Sequence, residues 1–293
     1  MLNKLTFYLL KFFWVILSII PLWILYPISD FFALILYYLI RYRRKVVRKN
    51  LTTCFPEKSE KEIVNIEKKF YRFFTDMFLE ATKLFTYSEK QIMKRMQFVN
   101  YEEINAAIRQ GKSISLFLGH YGNWEWVSSM ALWVDKNITA SQIYQRLHNE
   151  ATDRLIRQNR KKMGVHCVEM AQTLRWIDFQ KQANKVSVTG YIADQSPRKR
   201  EVRHFLPFLN HNIPVLTGAE KICKRYGFEA FYIEVKRLKR GYYKAEVIKI
   251  HPNPASLPDF ELTKIYYQFL EKTIRQNPEY YLWTHKRFKY EKL

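Results

Sequence analysis

Glycine is scarce in this chain, at 8 in 293 residues, and there is no Gly- or Ser-rich linker and no internal repeat. Cysteine is scarcer still: Cys54, Cys167 and Cys223 are far apart, odd in number, and show no C-x-x-C spacing. That excludes a disulfide framework and a thiolate zinc site, and suits a reducing, cytosol-facing location. Acidic residues are few, 27 against 49 Lys and Arg, for a formal charge of +22. Such an excess asks for an anionic partner: nucleic acid, an anionic membrane surface or an acidic protein. No G-x-S-x-G sequence occurs, and no Ser or Cys is spaced as a covalent nucleophile.

Long apolar runs are not lacking. Leu5–Ile40 is interrupted only by Lys11, Asp30, Pro21 and Pro27. Leu5–Tyr26 reaches membrane-spanning length if Lys11 snorkels, whereas Phe31–Ile40 is too short to span. The prolines can also break the run into a hairpin or an interfacial pair. Arg41, Arg43, Arg44, Lys45, Arg48 and Lys49 follow directly. A basic cluster after the apolar run, with no small-residue cleavage site, argues for an anchor and against a signal peptide. The positive-inside rule puts the following domain on the cytoplasmic face, and the cluster is placed to meet anionic headgroups. The chain therefore divides into an anchor with a basic flank, 1–45, and a catalytic domain, 46–293.

Within that domain two of the rare glycines, Gly119 and Gly122, flank a histidine in Ser113–Val127, SISLFLGHYGNWEWV. Such crowding suggests special backbone angles or close approach of a ligand. Ile114–Leu118 reads as a buried strand; His120 follows it and Glu125 stands five residues on. On one continuous helix these two would lie about 140° apart. Their meeting requires His120 in a turn and Glu125 in the first turn of a helix, predicted from Asn123 to Val134. There Glu125 would accept a hydrogen bond from one imidazole nitrogen, leaving the other to take a proton from an attacking hydroxyl or amine. With no nucleophile in sight, the chemistry is direct attack of an acceptor on an activated acyl group. The plain alternative is a buried histidine on a backbone carbonyl and a glutamate capping a helix.

The remaining periodicities define the class. Ser59 and Glu62 form a capping-box signal before an apolar stripe at helical spacing, Ile63 to Phe85. Ser88–Phe98 reads as a linker helix and Tyr101–Gln110 as a short helix. Strands are predicted at Thr139–Tyr144, Val165–Val168 and Lys185–Ile192, alternating with helices at Asn149–Met163 and Ala171–Lys181. Arg198–Asn210 reads as a basic loop, Pro214–Tyr226 and Leu257–Gln276 as helices, and Phe228–Ile250 as a hairpin about Lys239-Arg240-Gly241. The class is α/β: a mainly parallel central sheet with an antiparallel hairpin and helices on both faces. Asp194 and Gln195 end a strand at the edge where such sheets place their chemistry.

GHYGNWEW, residues 119–126, resembles the His-x4-Glu motif of the lipid A biosynthesis acyltransferases, the lauroyl and myristoyl transferases within the wider lysophospholipid and glycerolipid acyltransferase group. The resemblance covers nearly the whole chain. It includes the apolar N-terminus, Asn50-Leu51, Cys54-Phe55-Pro56-Glu57, Tyr144 to Asn149, Arg160 with Gly164, Asp194-Gln195, Gly218, Trp283 and Arg287-Phe288-Lys289. It implies His120 as general base and Glu125 as its orienting partner. It further implies an acyl thioester co-substrate, on acyl carrier protein or coenzyme A, and no other cofactor. The acceptor would be a hydroxyl of a membrane glycolipid, at the inner membrane. Substrate-binding expectations fall on Gly122, Asn123, Arg146, Asn149, Arg160, Asp194 and Gln195. Arg160 would take an acceptor phosphate, since guanidinium forks suit phosphate oxygens. The family's Tyr-Arg-Pro is Tyr144-Gln145-Arg146 here, so the arginine is displaced by one residue. Arg198, Lys199 and Arg200 read as a headgroup or phosphate patch. The histidines at 204, 211, 251 and 285 have no paired carboxylate at metal spacing and are assigned structural or surface roles.

Three other readings stay open at this point. Another membrane lipid could be the acceptor: a lysophospholipid, a glycosylated phosphoinositide or an aminolipid. The chain could bind lipid without catalysis. Nucleic-acid binding fits the charge, but no recognised nucleic-acid motif is present and the apolar N-terminus speaks against it.

Overall fold

Pro21 lacks the N–H that would continue a helical ladder, and the first apolar run breaks there. The computed structural model describes residues 2–290. In it, α1 (Leu2–Ile19) ends before Pro21 and α2 (Leu22–Leu34) starts after it. Pro27 lies in the second turn of α2 and does not end it, and a wider-wound turn, Ile35–Leu39, extends the helix. Among the described residues the helix of spanning length is thus Leu22–Leu39, at 18 residues, and not the predicted Leu5–Tyr26. α1 packs on the later helix Glu150–Lys162, and α2 on Glu60–Thr82.

The C-terminal carbonyls of α1 have no partner within the helix. Buried Lys83 supplies one from outside, donating through Nζ to the carbonyls of Leu17 and Ser18, both at 2.9 Å, and to that of Ile20. Burial pulls the Lys83 ammonium down to about 8. Thr86 adds a further bond to the Ser18 carbonyl, at 2.7 Å.

The basic flank forms the start of α3 (Arg44–Cys54). Arg44 and Arg48 both bind buried Glu67, at 3.0 and 2.5 Å, and Arg43 donates to the Thr284 carbonyl. Half of the cluster expected to face headgroups is therefore engaged in packing. α4 (Glu60–Thr82) opens with the expected capping box, Ser59 with Glu62. Its stripe of Ile63, Phe70, Phe73 and Met77 is buried, each such side chain contributing about 2–3 kcal/mol relative to exposure.

The predicted linker helix divides into α5 (Glu89–Arg95) and a short strand, β1 (Met96–Val99). α6 (Glu102–Arg109), β2 (Ile114–Leu118), β3 (Thr139–Tyr144), α7 (Glu150–Lys162), β4 (His166–Glu169), α8 (Thr173–Gln182) and β5 (Ser187–Ile192) follow as expected within a few residues. The segment after β2 departs from expectation: Trp126–Leu132 is a 3₁₀ helix, not an α-helix from Asn123 to Val134. The hydroxyls of Ser128 and Ser129 bond back to the carbonyls three residues earlier, both at 2.7 Å, which suits the tighter winding.

Beyond β5 a hairpin, β6 (His204–Phe208) with β7 (His211–Val215), takes up the end of the predicted loop and the first residues of the helix predicted from Pro214. Its turn, Leu209-Asn210, has both residues at positive φ, 51° and 65°, without a glycine to signal it. α9 (Gly218–Tyr226), the antiparallel pair β8 (Glu229–Lys239) and β9 (Tyr242–Lys249), and α10 (Glu261–Gln276) complete the chain. The main sheet has seven strands in the order β1-β9-β8-β2-β5-β3-β4, and all its pairings except β8 with β9 are parallel. The class is the mixed α/β one read from the sequence. β2 sits centrally, and all five of its residues are buried.

Candidate active site

Register decides which residues meet above the sheet. β2 pairs with β5 in parallel, Leu118 opposite Ile192. Two residues past each strand end stand His120 and Asp194. Asp194 receives the imidazole Nδ1 on Oδ1 at 2.6 Å and the His120 backbone N–H on Oδ2 at 3.0 Å. Burial raises the Asp194 carboxyl, but the adjacent His120 and the bonds it donates outweigh this and hold it below its ordinary value. An ionised Asp194 fixes the ring with its proton on Nδ1, leaving a lone pair on Nε2. The Gln195 amide nitrogen stands 3.3 Å from that Nε2, a long contact that a substrate group can replace.

This geometry corrects one expectation. Glu125 is not the partner of the His120 ring; its carboxylate takes two bonds from Arg160, Nε at 3.1 Å and Nη2 at 2.7 Å. The start of the 3₁₀ helix carries Glu125 toward α7, while strand register brings in Asp194 from a distant part of the sequence. Arg160 is only 7% exposed, so it is neither a solvated helix face nor an open phosphate ligand. Burial would lower its pKa, but Glu125 outweighs this and holds the guanidinium above its ordinary value.

The other expected residues separate by role. Gly122 has φ +60°, and a Cβ there would lie 2.7 Å from a Val235 methyl. A Cβ on Gly119 would meet a Leu270 methyl at 2.5 Å. Both glycines are thus required by close packing of the turn, with no ligand needed to explain them. Asn123 is fully buried: its amide donates to Glu80 at 2.9 Å and its carbonyl accepts from the Trp126 N–H at 3.1 Å. It shapes the turn, with its side chain bonded into the core. Asn149 caps α7, accepting from the Thr152 N–H at 2.9 Å. Arg146 is largely exposed and paired with Glu150 at 3.5 Å. No contact links either of the last two to His120.

Two supports of the turn escaped the sequence reading. Glu80 is a buried hub in α4: it accepts from Asn123 and from the Tyr243 hydroxyl on one oxygen and from Tyr26 of α2 on the other. Burial raises its pKa. The sequence signal was a carboxylate on the apolar stripe, seven residues after Phe73 and three after Met77. The second support is the C-terminal segment. Tyr121 bridges Tyr281, the Gly122 N–H donates to the Tyr280 carbonyl at 2.9 Å, and the Leu282 N–H donates to that of His120 at 3.0 Å. His285, read as structural, accepts the Ser196 N–H on Nε2 at 3.1 Å, and burial pulls it down to about 4.

Trp124 connects His120 to an apolar space. Its ring stands edge-on to the imidazole, 5.3 Å between centroids. It also lines a small apolar cavity, partly open to solvent, with Leu116, Leu118, Val127, Met130 and Val188. An oriented histidine thus stands beside a small apolar cavity.

The comparisons agree. A family model described as bacterial lipid A biosynthesis acyltransferase matches residues 1–290. The chain belongs to that family and is an acyltransferase of lipid A biosynthesis. It is similar to the lipid A biosynthesis acyltransferase of Haemophilus influenzae, 22% identical over 246 residues, which cover 82% of this chain and 74% of that one.

Proposed function

We propose that the enzyme moves a fatty acyl chain from an acyl thioester to a hydroxyl of a lipid A precursor, with His120 as general base. The observation that supports this most directly is the His120–Asp194 bond, which leaves Nε2 free to take a proton. The acceptor oxygen attacks the thioester carbonyl carbon while its proton passes to Nε2. The C–S bond then breaks, the proton moves on to the departing sulfur, and an ester and a thiol result with no acyl-enzyme. Glu125, fixed by Arg160 and 18% exposed like His120 itself, serves in this scheme to position the acceptor hydroxyl. In this reading the small apolar cavity beside Trp124 marks where the acyl chain enters. Acyl carrier protein is the proposed donor, since a small acidic carrier complements a surface of formal charge +22.

The same proposal places the enzyme at the inner membrane with its catalytic domain on the cytoplasmic side. Only 28% of the Leu22–Leu39 window is buried against the protein, unlike a core helix. Phe12, Phe13, Trp23, Phe31 and Leu39 are exposed, more apolar surface than a soluble monomer usually shows.

His120→Ala tests the mechanism. Transfer by the purified protein is expected to fall by about 10³-fold or more while the melting temperature holds. Undiminished transfer would remove His120 from the mechanism. Mass spectrometry of lipids from cells with and without the gene tests the acceptor: a one-acyl loss confined to lipid A is the expected result, and a loss in another lipid class contradicts it.

A further inference from the structure

A second cleft opens at the same edge of the sheet. It holds about 920 Å³ including its open mouth, and Arg200, Arg203, His204, Lys221 and Glu201 contribute to its lining. Three hydrogen bonds tie its wall to the catalytic edge. The Ala193 carbonyl accepts from the Tyr267 hydroxyl at 2.9 Å; that hydroxyl accepts from Arg287 Nη2 at 3.0 Å; and Arg287 Nη1 donates to the Pro214 carbonyl at 3.0 Å. Ala193 adjoins Asp194, and Pro214 adjoins Val215 in the cleft wall. The polarity of α9 agrees. Its C-terminal end lies near Glu229, whose N–H meets Ser113 at the start of β2, so its first turn points toward the catalytic edge.

The cleft's cations are only weakly countered: Asp259, paired with Lys224 at 2.5 Å, acts on Lys221 at longer range. Among the described residues, Arg203 and Lys221 have no carboxylate within ion-pair distance, and Arg200 has only its neighbour Glu201, at 3.9 Å. Glu201 turns back to accept the Arg198 N–H at 3.2 Å. His204 is stacked on Phe260 at 3.9 Å, and its buried Nε2 has no hydrogen-bond partner. Three cations and one carboxylate leave a charge of two positive units, which matches a phosphomonoester near neutral pH. A phosphodiester, as in the arm of an acyl carrier, brings only one negative charge.

We propose that this cleft binds a phosphomonoester of the acceptor glycolipid through Arg200, Arg203 and Lys221, which sets the acceptor's headgroup relative to His120. The proposal rests on the acyltransferase reading above. It moves the phosphate contact from Arg160, which Glu125 occupies, to groups that are free to make it.

The test compares a lipid A precursor isolated from cells with the same lipid after phosphatase treatment, using the full chain in detergent. In the Arg203→Ala, Lys221→Ala double variant the KM for the phosphorylated lipid is expected to rise about tenfold, the loss of charge-assisted contacts at a half-open site. The loss should fall on acceptor KM rather than on kcat, and the phosphatase-treated lipid should show no further rise. Inorganic phosphate should compete with the acceptor in the wild type and lose that effect in the variant. An unchanged acceptor KM, or a rise confined to the donor's KM, overturns the assignment. Binding of the two lipids to His120→Ala protein separates this proposal from the mechanism, because phosphate-dependent binding there needs no turnover. Equal affinity for the two lipids would defeat the cleft alone, whereas wild-type turnover by that variant would defeat the mechanism alone.

Discussion

The turn Gly119–Glu125 stands between two polar clusters, and they differ in completeness. On the side of His120, one ring nitrogen is tied to Asp194 and the other has only a long contact to Gln195. On the side of Asn123, three residues further on, every polar group is engaged: Asn123 with Glu80 and Trp126, Glu80 with Tyr243 and Tyr26, and the Trp126 indole with the Glu80 carbonyl at 3.0 Å. A buried network that is fully satisfied fixes geometry; one with an open valence can do chemistry. The same few residues are thus divided between a reactive face and a holding face. That explains why Asn123 and Gly122, read as substrate contacts, turn inward.

This contrast can be broken at either end. Asp194→Asn should have the largest effect: kcat lower by roughly 10²–10⁴-fold, with a changed pH–rate profile and a near-normal melting temperature, measured by acyl transfer and thermal unfolding. Full activity would mean that ring orientation by Asp194 does not matter. Glu80→Ala should act the other way. It leaves Asn123, Tyr243 and Tyr26 without their acceptor and should cost about 3 kcal/mol or more of stability, while the pH profile of the remaining folded enzyme stays as in the wild type. Glu80→Gln should recover part of that stability; a shifted pH profile would instead place Glu80 on the reactive side.

The smallest effect concerns His285, which borders the reactive cluster. Its folded pKa is about 4 against an ordinary 6.5. Neutral His285 therefore contributes stability in full above pH 6.5, and this is lost as pH falls toward 4, where the unfolded chain binds the proton more readily. After discounting for partial exposure the contribution is about 1–2 kcal/mol. Melting temperatures of wild type and His285→Gln should converge as pH is lowered through this window, and parallel curves would count against it.

Local pattern exposed much of this molecule in the sequence. The alternation of strands and helices, the buried run of β2 and the Ser59 capping box are properties of neighbouring residues. His120 was visible because rare glycines and a strand end surround it. Its true partner was not, because Asp194 reaches it through the β2–β5 register, a pairing across more than seventy residues of chain. Asp194 was noticed only as a strand-end residue. Glu125 was the natural candidate by proximity, but whether the turn continues as an α-helix or a 3₁₀ helix decides where it points, and two serines tipped that choice. The β6–β7 hairpin was hidden for a related reason: Leu209 adopts a positive φ that its side chain disfavours, so the usual Asn-Gly signal is missing.

Lys83 closes the end of α1 with bonds to the carbonyls of Leu17, Ser18 and Ile20, and Thr86 adds a second bond to that of Ser18. On the proposed membrane reading, the first helix is then a mount rather than a leash. The height and tilt of the catalytic mouth over the bilayer become constants of the molecule instead of averages over a swinging tether. Such an enzyme would meet its acceptor at one fixed depth, and substituting Lys83 would blur that depth before it touched the chemistry.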